Sequence, residues 1–391
     1  VTRYVASLSE HPLAAQAVGE VVGAALEQLS GPPDLAVVFF TGHHLSAAAD
    51  VVGAIHALLE PDVLIGASAS SVLGGAREVE DAPGLVLWAA HLEAEPRPVR
   101  LETLLSADGE LVTAGGAGLD TATGTLVLLA DPFTVPVTEL VAAVGREDLR
   151  IVGGLASAAS RPGGNVLVLG ERCHQDGAVG VVLPPEVRIG TVVSQGCRPI
   201  GHPFVVTRAE GNVIHELAGR PALERLMAQI ESLDPPTRAL AAQGLHVGIV
   251  IDEHREHFDR GDFLIRGVLG ADRERGAVAV GEVVEVGATV QFQVRDATSA
   301  DEDLTAMLEG TQGAAAMVFT CNGRGTHLFG TPHHDASVVT EQLGTPWVAG
   351  MFAAGELGPV GTRSFVHGFT ASIAVFDPVS EATDRSGEGA H

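Results

Sequence analysis

Leu35-Ala36-Val37-Val38-Phe39-Phe40-Thr41-Gly42-His43-His44 decides the reading of the fold: an apolar run that stops abruptly in polar residues. A helical stretch from Ser46 to Leu59 follows it. A second apolar run, Val63-Leu64-Ile65-Gly66, opens into a small-residue turn from Ala67 to Gly75, and a third run, Gly84-Leu85-Val86-Leu87-Trp88, completes the unit. Short apolar runs bounded by turn residues are read as strands. Strand, helix, strand is a unit whose crossover is right-handed and whose two strands are parallel.

The same order of elements recurs twice. In the second copy Leu126-Val127-Leu128-Leu129-Ala130 ends in Asp131-Pro132-Phe133, a helix spans about Val137 to Val144, and Ile151-Val152-Gly153-Gly154 leads through a turn to a closing strand, Asn165 to Leu169. In the third, Ala315-Ala316-Met317-Val318-Phe319 ends in Thr320-Cys321-Asn322-Gly323-Arg324. A helix near Asp335 to Leu343 follows, then Trp347-Val348-Ala349-Gly350, with Phe365 to Phe376 as the closing strand. Ligands of such units gather at the carboxyl ends of the strands. The three copies are expected to superpose, with their polar strand ends facing a shared cleft.

Outward from these copies, Ser9 is read as the cap of an N-terminal helix that ends at Ser30-Gly31-Pro32-Pro33. Between about Thr207 and Gly313 the pattern changes. Helices are expected at Arg220–Leu233 and Thr237–Gln243, then short strands His246–Asp252, Phe263–Leu269, Ala277–Gly281 and Thr289–Val294 as an antiparallel meander, and a helix from Ser299. The fold class is therefore α/β with an α+β second half, made of repeated strand-helix-strand units in two domains with mixed sheets. The expected divisions are 1–30 (N-terminal helix), 31–206, 207–378 and a disordered tail at 379–391.

Composition narrows the chemistry. The 391 residues carry a net charge of −26, which disfavours nucleic acid and anionic membrane as partners. All 23 basic residues are Arg, so neither a phosphate-binding loop ending in Gly-Lys nor a Schiff-base lysine is available. Three cysteines, far apart and odd in number, argue against a disulfide framework and fit a reducing compartment. No membrane-spanning stretch and no signal-peptide pattern is seen, and the expected location is cytoplasmic.

Several stretches in order resemble the FIST (F-box and intracellular signal transduction) family. They are Ser194-Gln195-Gly196-Cys197-Arg198-Pro199-Ile200-Gly201, Glu210-Gly211-Asn212-Val213-Ile214 and Arg260-Gly261-Asp262-Phe263-Leu264-Ile265-Arg266. Further on come Cys321-Asn322-Gly323-Arg324-Gly325, Ala354-Gly355-Glu356-Leu357-Gly358-Pro359 and His367-Gly368-Phe369-Thr370. The resemblance covers nearly the whole chain, an N-terminal FIST half and its C-terminal companion. It implies a bacterial sensory protein of signal transduction that binds a small molecule, an amino acid being one candidate. Some relatives are haem proteins that sense nitric oxide. No fused output module has room here, so the resemblance implies a separate signalling partner.

Cys321, Asn322, Arg324, Glu356, His367 and Thr370 lie in those motifs and at the polar ends of the third copy, which makes them candidate ligand contacts. The planar fork of Arg324 suits a carboxylate, and Glu356 suits an ammonium group. The alternative is an internal Arg324–Glu356 salt bridge. Cys197 and Arg198 sit in a Gly-flanked turn where Arg198 is a second candidate anion contact. No cofactor is expected. Haem, the alternative, would take His174, His44 or His334 as ligand; no Cys-x-x-Cys-His attachment sequence and no zinc spacing is present. For catalysis no nucleophile elbow and no dinucleotide loop is found. A thiol-dependent enzyme using Cys321 or Cys197 is the third reading.

Overall fold

Both faces of the apolar runs are covered, and this is why they read as unbroken rather than alternating. The computed structural model describes residues 3–105, 111–255, 258, 260–377 and 379–380. Unit one comprises β1 (Tyr4–Ser9), α1 (Ala14–Gln28), β2 (Leu35–Thr41), α2 (Ala48–Leu59), β3 (Val63–Ala69), the hairpin of β4 (Val72–Gly74) and β5 (Arg77–Val79), and β6 (Leu85–Ala90). Unit two comprises β7 (Arg97–Leu105), β8 (Leu111–Gly115), β9 (Gly124–Ala130), α3 (Val137–Val144), β10 (Leu149–Leu155), the hairpin of β11 (Leu167–Leu169) and β12 (Arg172–His174), and β13 (Ala178–Leu183).

Unit three begins at β14 (Ile189–Gln195) and is interrupted by an inserted domain. That insertion holds β15 (Cys197–Pro199), β16 (Phe204–Glu210), β17 (Val213–Leu217), β18 (Arg220–Pro221), α4 (Ala222–Ser232), α5 (Pro235–Gln243), β19 (Leu245–Val250), β20 (Phe263–Asp272), β21 (Ala277–Val280) and β22 (Thr289–Arg295). The unit resumes with α6 (Ala297–Leu308), β23 (Thr311–Gln312), β24 (Ala315–Cys321), α7 (Thr326–Phe329), α8 (His334–Leu343) and β25 (Val348–Ala353). The hairpin of β26 (Glu356–Val360) and β27 (Arg363–His367), then β28 (Thr370–Phe376) and β29 (Val379–Ser380), complete it.

The expected repeat is present, with one topology in all three units. The strands flanking the crossover helix are parallel: β2 with β3, β9 with β10, β24 with β25. The unit's last strand, β6, β13 or β28, lies antiparallel on the other side of its first. The hairpin does not stay at home. It leaves unit one to pair β4 with β25, leaves unit three to pair β26 with β10, and leaves unit two to pair β11 with β3. The exchange closes a circle, so no unit completes its sheet alone.

Two closing strands are thereby corrected. Residues 165–169 feed the exchanged hairpin, and the closing strand of unit two is β13. In unit three, 365–376 is not one strand but β27 and β28, broken at Gly368-Phe369, where Phe369 has a φ of 65°.

Period-two alternation sorts the side chains of each first strand. Leu35, Val37 and Phe39, Val127 and Leu129, and Met317 and Phe319 meet in one core common to the three sheets. Phe39 and Phe319 touch edge to face at 6.0 Å, and Trp88 lies 4.8 Å from Phe376. The alternate residues Ala36, Val38 and Phe40 pack outward under α1 and α2; Leu126 and Leu128 do so under α3, and Ala316 and Val318 under α8.

One glycine per unit sits at the same register: Gly66 opposite Val38, Gly153 opposite Leu128, Gly350 opposite Val318. A Cβ there would lie 2.2, 1.9 and 1.9 Å from the opposing carbonyl oxygen. Ala at any of the three is expected to destabilise by about 1–3 kcal/mol, since the parallel strands must separate. Gly23→Ala, on α1 with nothing within 4 Å of the new methyl, is expected to stabilise slightly by helix propensity. Urea unfolding of the four variants checks this contrast of sign.

The inserted domain closes on itself. β16 pairs with β17 and β22, β21 with β17 and β20, and β19 with β20 and β22, so six antiparallel strands form a barrel rather than an open meander. Helices α4 and α5 pack with Leu217, Val278 and Phe292 in its core. The boundary expected at 206/207 falls within β16, and unit three draws β14 from before it.

The N-terminal helix starts at Ala14, not Ser9. Tyr4–Ser9 is a strand paired with β6, and the residue before Pro12 disfavours helix. Of the expected tail, Val379–Ser380 pairs with β23; residues 381–391 lie outside the described residues.

Candidate functional site

The carboxyl ends of β24 and β25 carry Cys321 and Ala353, and the loop between β27 and β28 crosses beside them. With Leu155 and Thr138 of unit two, and Ile265 to Gly267 and Gly281-Glu282 of the barrel, they enclose a cleft of about 560 Å³. The cleft thus belongs to units two and three and the barrel. The expectation of one cleft shared by all three polar strand ends is corrected: Thr41 of unit one is buried elsewhere, its hydroxyl bonded to Ala82 and Gly84. The reason is the insertion, which roofs only the side of unit three where it leaves and re-enters the chain.

Two opposite charges face one another in the cleft. Arg266 donates from Nε to Glu282 Oε2 at 2.6 Å, from Nη1 to the Ile265 carbonyl at 2.9 Å, and from Nη2 to the Val366 carbonyl at 3.1 Å. These bonds use three of the five N–H groups of a guanidinium. Glu282 is more accessible than Arg266, 28% against 12%. In the sequence Arg266 ends the stretch Arg260 to Arg266, while Glu282 follows Gly281 in a charged segment with no spacing that ties it to Arg266.

Phe369 forms another wall. Its positive φ is unusual for a bulky residue and costs roughly 1–3 kcal/mol unless the surroundings fix it. They do. Gly196 donates its N–H to the Phe369 carbonyl at 2.8 Å, the Arg295 guanidinium lies 5.2 Å over its ring, and the His246 ring sits 4.2 Å away. Arg295 also donates to the Gly323 carbonyl. Burial pushes His246 down to about 4 and the neighbouring Arg295 adds to it, so this imidazole is neutral.

Of the residues expected to bind ligand, Cys321, Asn322 and His367 line the cleft. His367 holds the Gly358 carbonyl through Nε2 at 3.0 Å, and burial pushes it down to about 4. Burial, with Glu356 nearby, pushes the Cys321 thiol up to about 12. It is a protonated thiol, unlike an activated nucleophile. Glu356 and Thr370 lie beneath the floor. Glu356 Oε2 accepts from the Thr370 N–H at 3.1 Å and from its hydroxyl at 2.8 Å, while Oε1 is buried with no partner among the described residues.

Arg324 is corrected on both readings. It is fully buried and grips neither the cleft nor Glu356; its fork closes on Asp335, Nε to Oδ2 at 2.7 Å and Nη2 to Oδ1 at 2.8 Å. Thr320 Oγ1 donates to the same carboxylate, and His334 Nδ1 lies 3.0 Å from it. Burial alone would raise Asp335, but the Arg324 guanidinium holds its carboxyl well below the usual range. The exchanged hairpin of unit one docks here: the Ala336 N–H donates to Glu78 Oε1 at 3.0 Å, and Glu78 N–H donates to His333 Nδ1 at 2.9 Å. The cluster is a joint between units.

Arg198, expected as an anion contact, is bonded to Asp296 at 2.8 Å and to Thr237 at 2.9 Å, pinning the barrel to the start of α6. Cys197 is buried, and burial pushes it up to about 12. The histidines considered for haem are dispersed. His44 is buried before α2, His174 lies on β12, and His334 bridges Asp335 and Asp301 while stacking on Phe329 at 3.4 Å. None of the three lines the cleft. Among the described residues no helix is long and apolar enough to cross a membrane.

Against known proteins, residues 34–220 match the FIST N domain and residues 222–359 the FIST C domain. The chain is similar to an uncharacterized protein of Mycobacterium bovis, 44% identical over 376 residues, covering 93% of this chain and 96% of the relative. An uncharacterized protein of Mycobacterium tuberculosis is 42% identical over 379 residues, covering 94% of this chain and 98% of its own length. With both domains matched in order and these relatives aligned nearly end to end, the chain belongs to the FIST family of sensory domains in signal transduction.

Proposed function

We propose that the protein is a sensor of a small zwitterionic ligand of the amino-acid class, bound in the cleft between the barrel and units two and three, and that it signals through a separate protein. The observation that carries this reading is the Arg266–Glu282 pair. An α-amino acid needs a carboxylate site beside an ammonium site; the two remaining N–H groups of Arg266 supply the first and Glu282 the second. The backbone of the Ala354-Gly355 turn and the face of Phe369 are left for the side chain. A ligand held from both walls ties the barrel to the repeated body, and the altered relation between them is what a partner reads.

Thermal melts of the whole chain with each of the common amino acids test this. At least one is expected to raise the melting temperature, since a ligand at a hundred times its Kd adds about 2.7 kcal/mol. Arg266→Met is expected to weaken binding roughly tenfold to a hundredfold, as one charge-assisted contact is worth about 1.5–3 kcal/mol. A flat response of the wild type to every amino acid, or an equal response of Arg266→Met, would sink the reading.

A further inference from the structure

Among the described residues, the threefold repeat leaves one place unfilled. In unit one, α1 lies against β1, β6 and α2; in unit three, α6 lies in the same slot against β14 and α8. Among the described residues no helix joins the first two central strands of unit two: β7 pairs antiparallel with β8, and the chain passes from β8 to β9 through a loop. Leu119 and Ala122 of that loop cover part of the sheet. Between β7 and α3, a slot of about 620 Å³ remains, bounded by Leu101, Val112, Leu119, Leu140, Ala143 and Val144. Val112 is 48% exposed, and Ala143 faces solvent on α3.

We propose that this slot docks an amphipathic helix from a partner protein. The two filled slots describe its occupant. Helix α1 buries Ala17, Val18, Val21, Val22 and Ala25; α6 buries Ala300, Leu304 and Leu308. Both present a narrow face of small and branched apolar residues at helical spacing, and an occupant of the third slot meets the same strand-and-helix walls. Charge selects the partner's flanks. Asp120 and Glu139 stand on the rim, while Arg146 is turned onto the carbonyls of Leu119 and Ala122 and onto Asp148. The docking helix therefore carries basic residues beside its apolar face. A second copy of this chain, with a net charge of −26 and glutamates on α1, meets that rim with like charge. The slot is separate from the ligand cleft, and its occupancy does not depend on which ligand the cleft takes.

The probe is a labelled peptide of residues 14–28, with Glu20→Arg and Glu27→Arg on its outward face. Titration with the intact protein, read by fluorescence anisotropy, is expected to show saturable binding. Ala143→Arg, which occupies the slot from an exposed helical position, is expected to weaken it at least about tenfold, a loss of about 1.4 kcal/mol; Val112→Glu does the same from the opposite wall. Both variants are expected to melt like the wild type and to leave amino-acid binding unchanged. The peptide with its native glutamates should bind more weakly. Absence of saturable binding, or equal binding to Ala143→Arg, overturns the proposal. So does a wild-type dimer in sedimentation that Ala143→Arg dissociates, because the occupant is then a second copy.

Discussion

Arg324→Ala is expected to lower the free energy of unfolding by about 3–5 kcal/mol, the cost of leaving one partner of a buried ion pair ionised and alone. Asp335 is fully buried, and after the change only Thr320 and His334 would remain to hold its carboxylate. The damage spreads because Asp335 starts the helix on which the hairpin of unit one docks through Glu78. Arg324→Met with Asp335→Leu, which removes both charges and keeps volume, is expected to recover most of the loss. Acid gives a second readout. A carboxyl held below its ordinary value contributes stability above the unfolded pKa of about 3.9, and this is lost as pH falls further toward the folded value. The wild type should therefore weaken in strong acid through this group, and the double variant should lack that part of the decline. Urea midpoints across pH check both. A loss under about 1 kcal/mol in Arg324→Ala, together with loss of the amino-acid response, would move Arg324 back into the binding site.

The sequence made the central strands legible for a physical reason. Strands covered on both faces are continuous apolar runs, and 35–40, 126–130 and 315–319 all are. The recurring glycines at 66, 153 and 350 also mark one register, readable once the runs are aligned. What stayed hidden is non-local. Nothing in Val72-Leu73-Gly74 says that it pairs with residues 349–351 rather than with its own unit, because period two assigns a strand its faces but not its neighbour. The barrel reads locally as an open meander, since its closure depends on the β19–β22 pairing, which no local pattern encodes.

The same limit governed the site. Arg324 stands out in the sequence as a cation in a motif, but its direction does not, because its partner Asp335 sits behind two histidines at a helix start. Arg266 and Glu282 face each other only through a barrel that brings adjacent strands together. The residues of the motif were visible; which of them face water was not.

Glu356→Gln is expected to raise stability by several kcal/mol at pH 9 and to change it little at pH 4. Complete burial pushes the Glu356 carboxyl up to about 8, with the bonds from Thr370 and the charges of Arg324 and Arg295 opposing the rise only in part. The folded protein thus keeps this group as a neutral acid at pH 7. Below about 4.3, the value for an unfolded chain, both states are protonated and the group has no differential effect. Above it the unfolded chain releases its proton while the folded one retains it, so stability falls with rising pH until the folded value near 8 is passed. Each pKa unit is about 1.4 kcal/mol, which puts the full span on the order of 3–5 kcal/mol. Glutamine keeps the acceptor for the Thr370 N–H and hydroxyl and never ionises, so its curve should lack this slope. Glu78, pushed up to about 7 by burial and Asp335, bends the wild-type curve in the same direction, and it remains in the variant, so the difference between the two curves reports Glu356 alone. Parallel curves for wild type and Glu356→Gln between pH 5 and 9 would mean that the carboxylate is ionised throughout, and that Arg324 or Arg295 balances it as an ion rather than leaving it an acid.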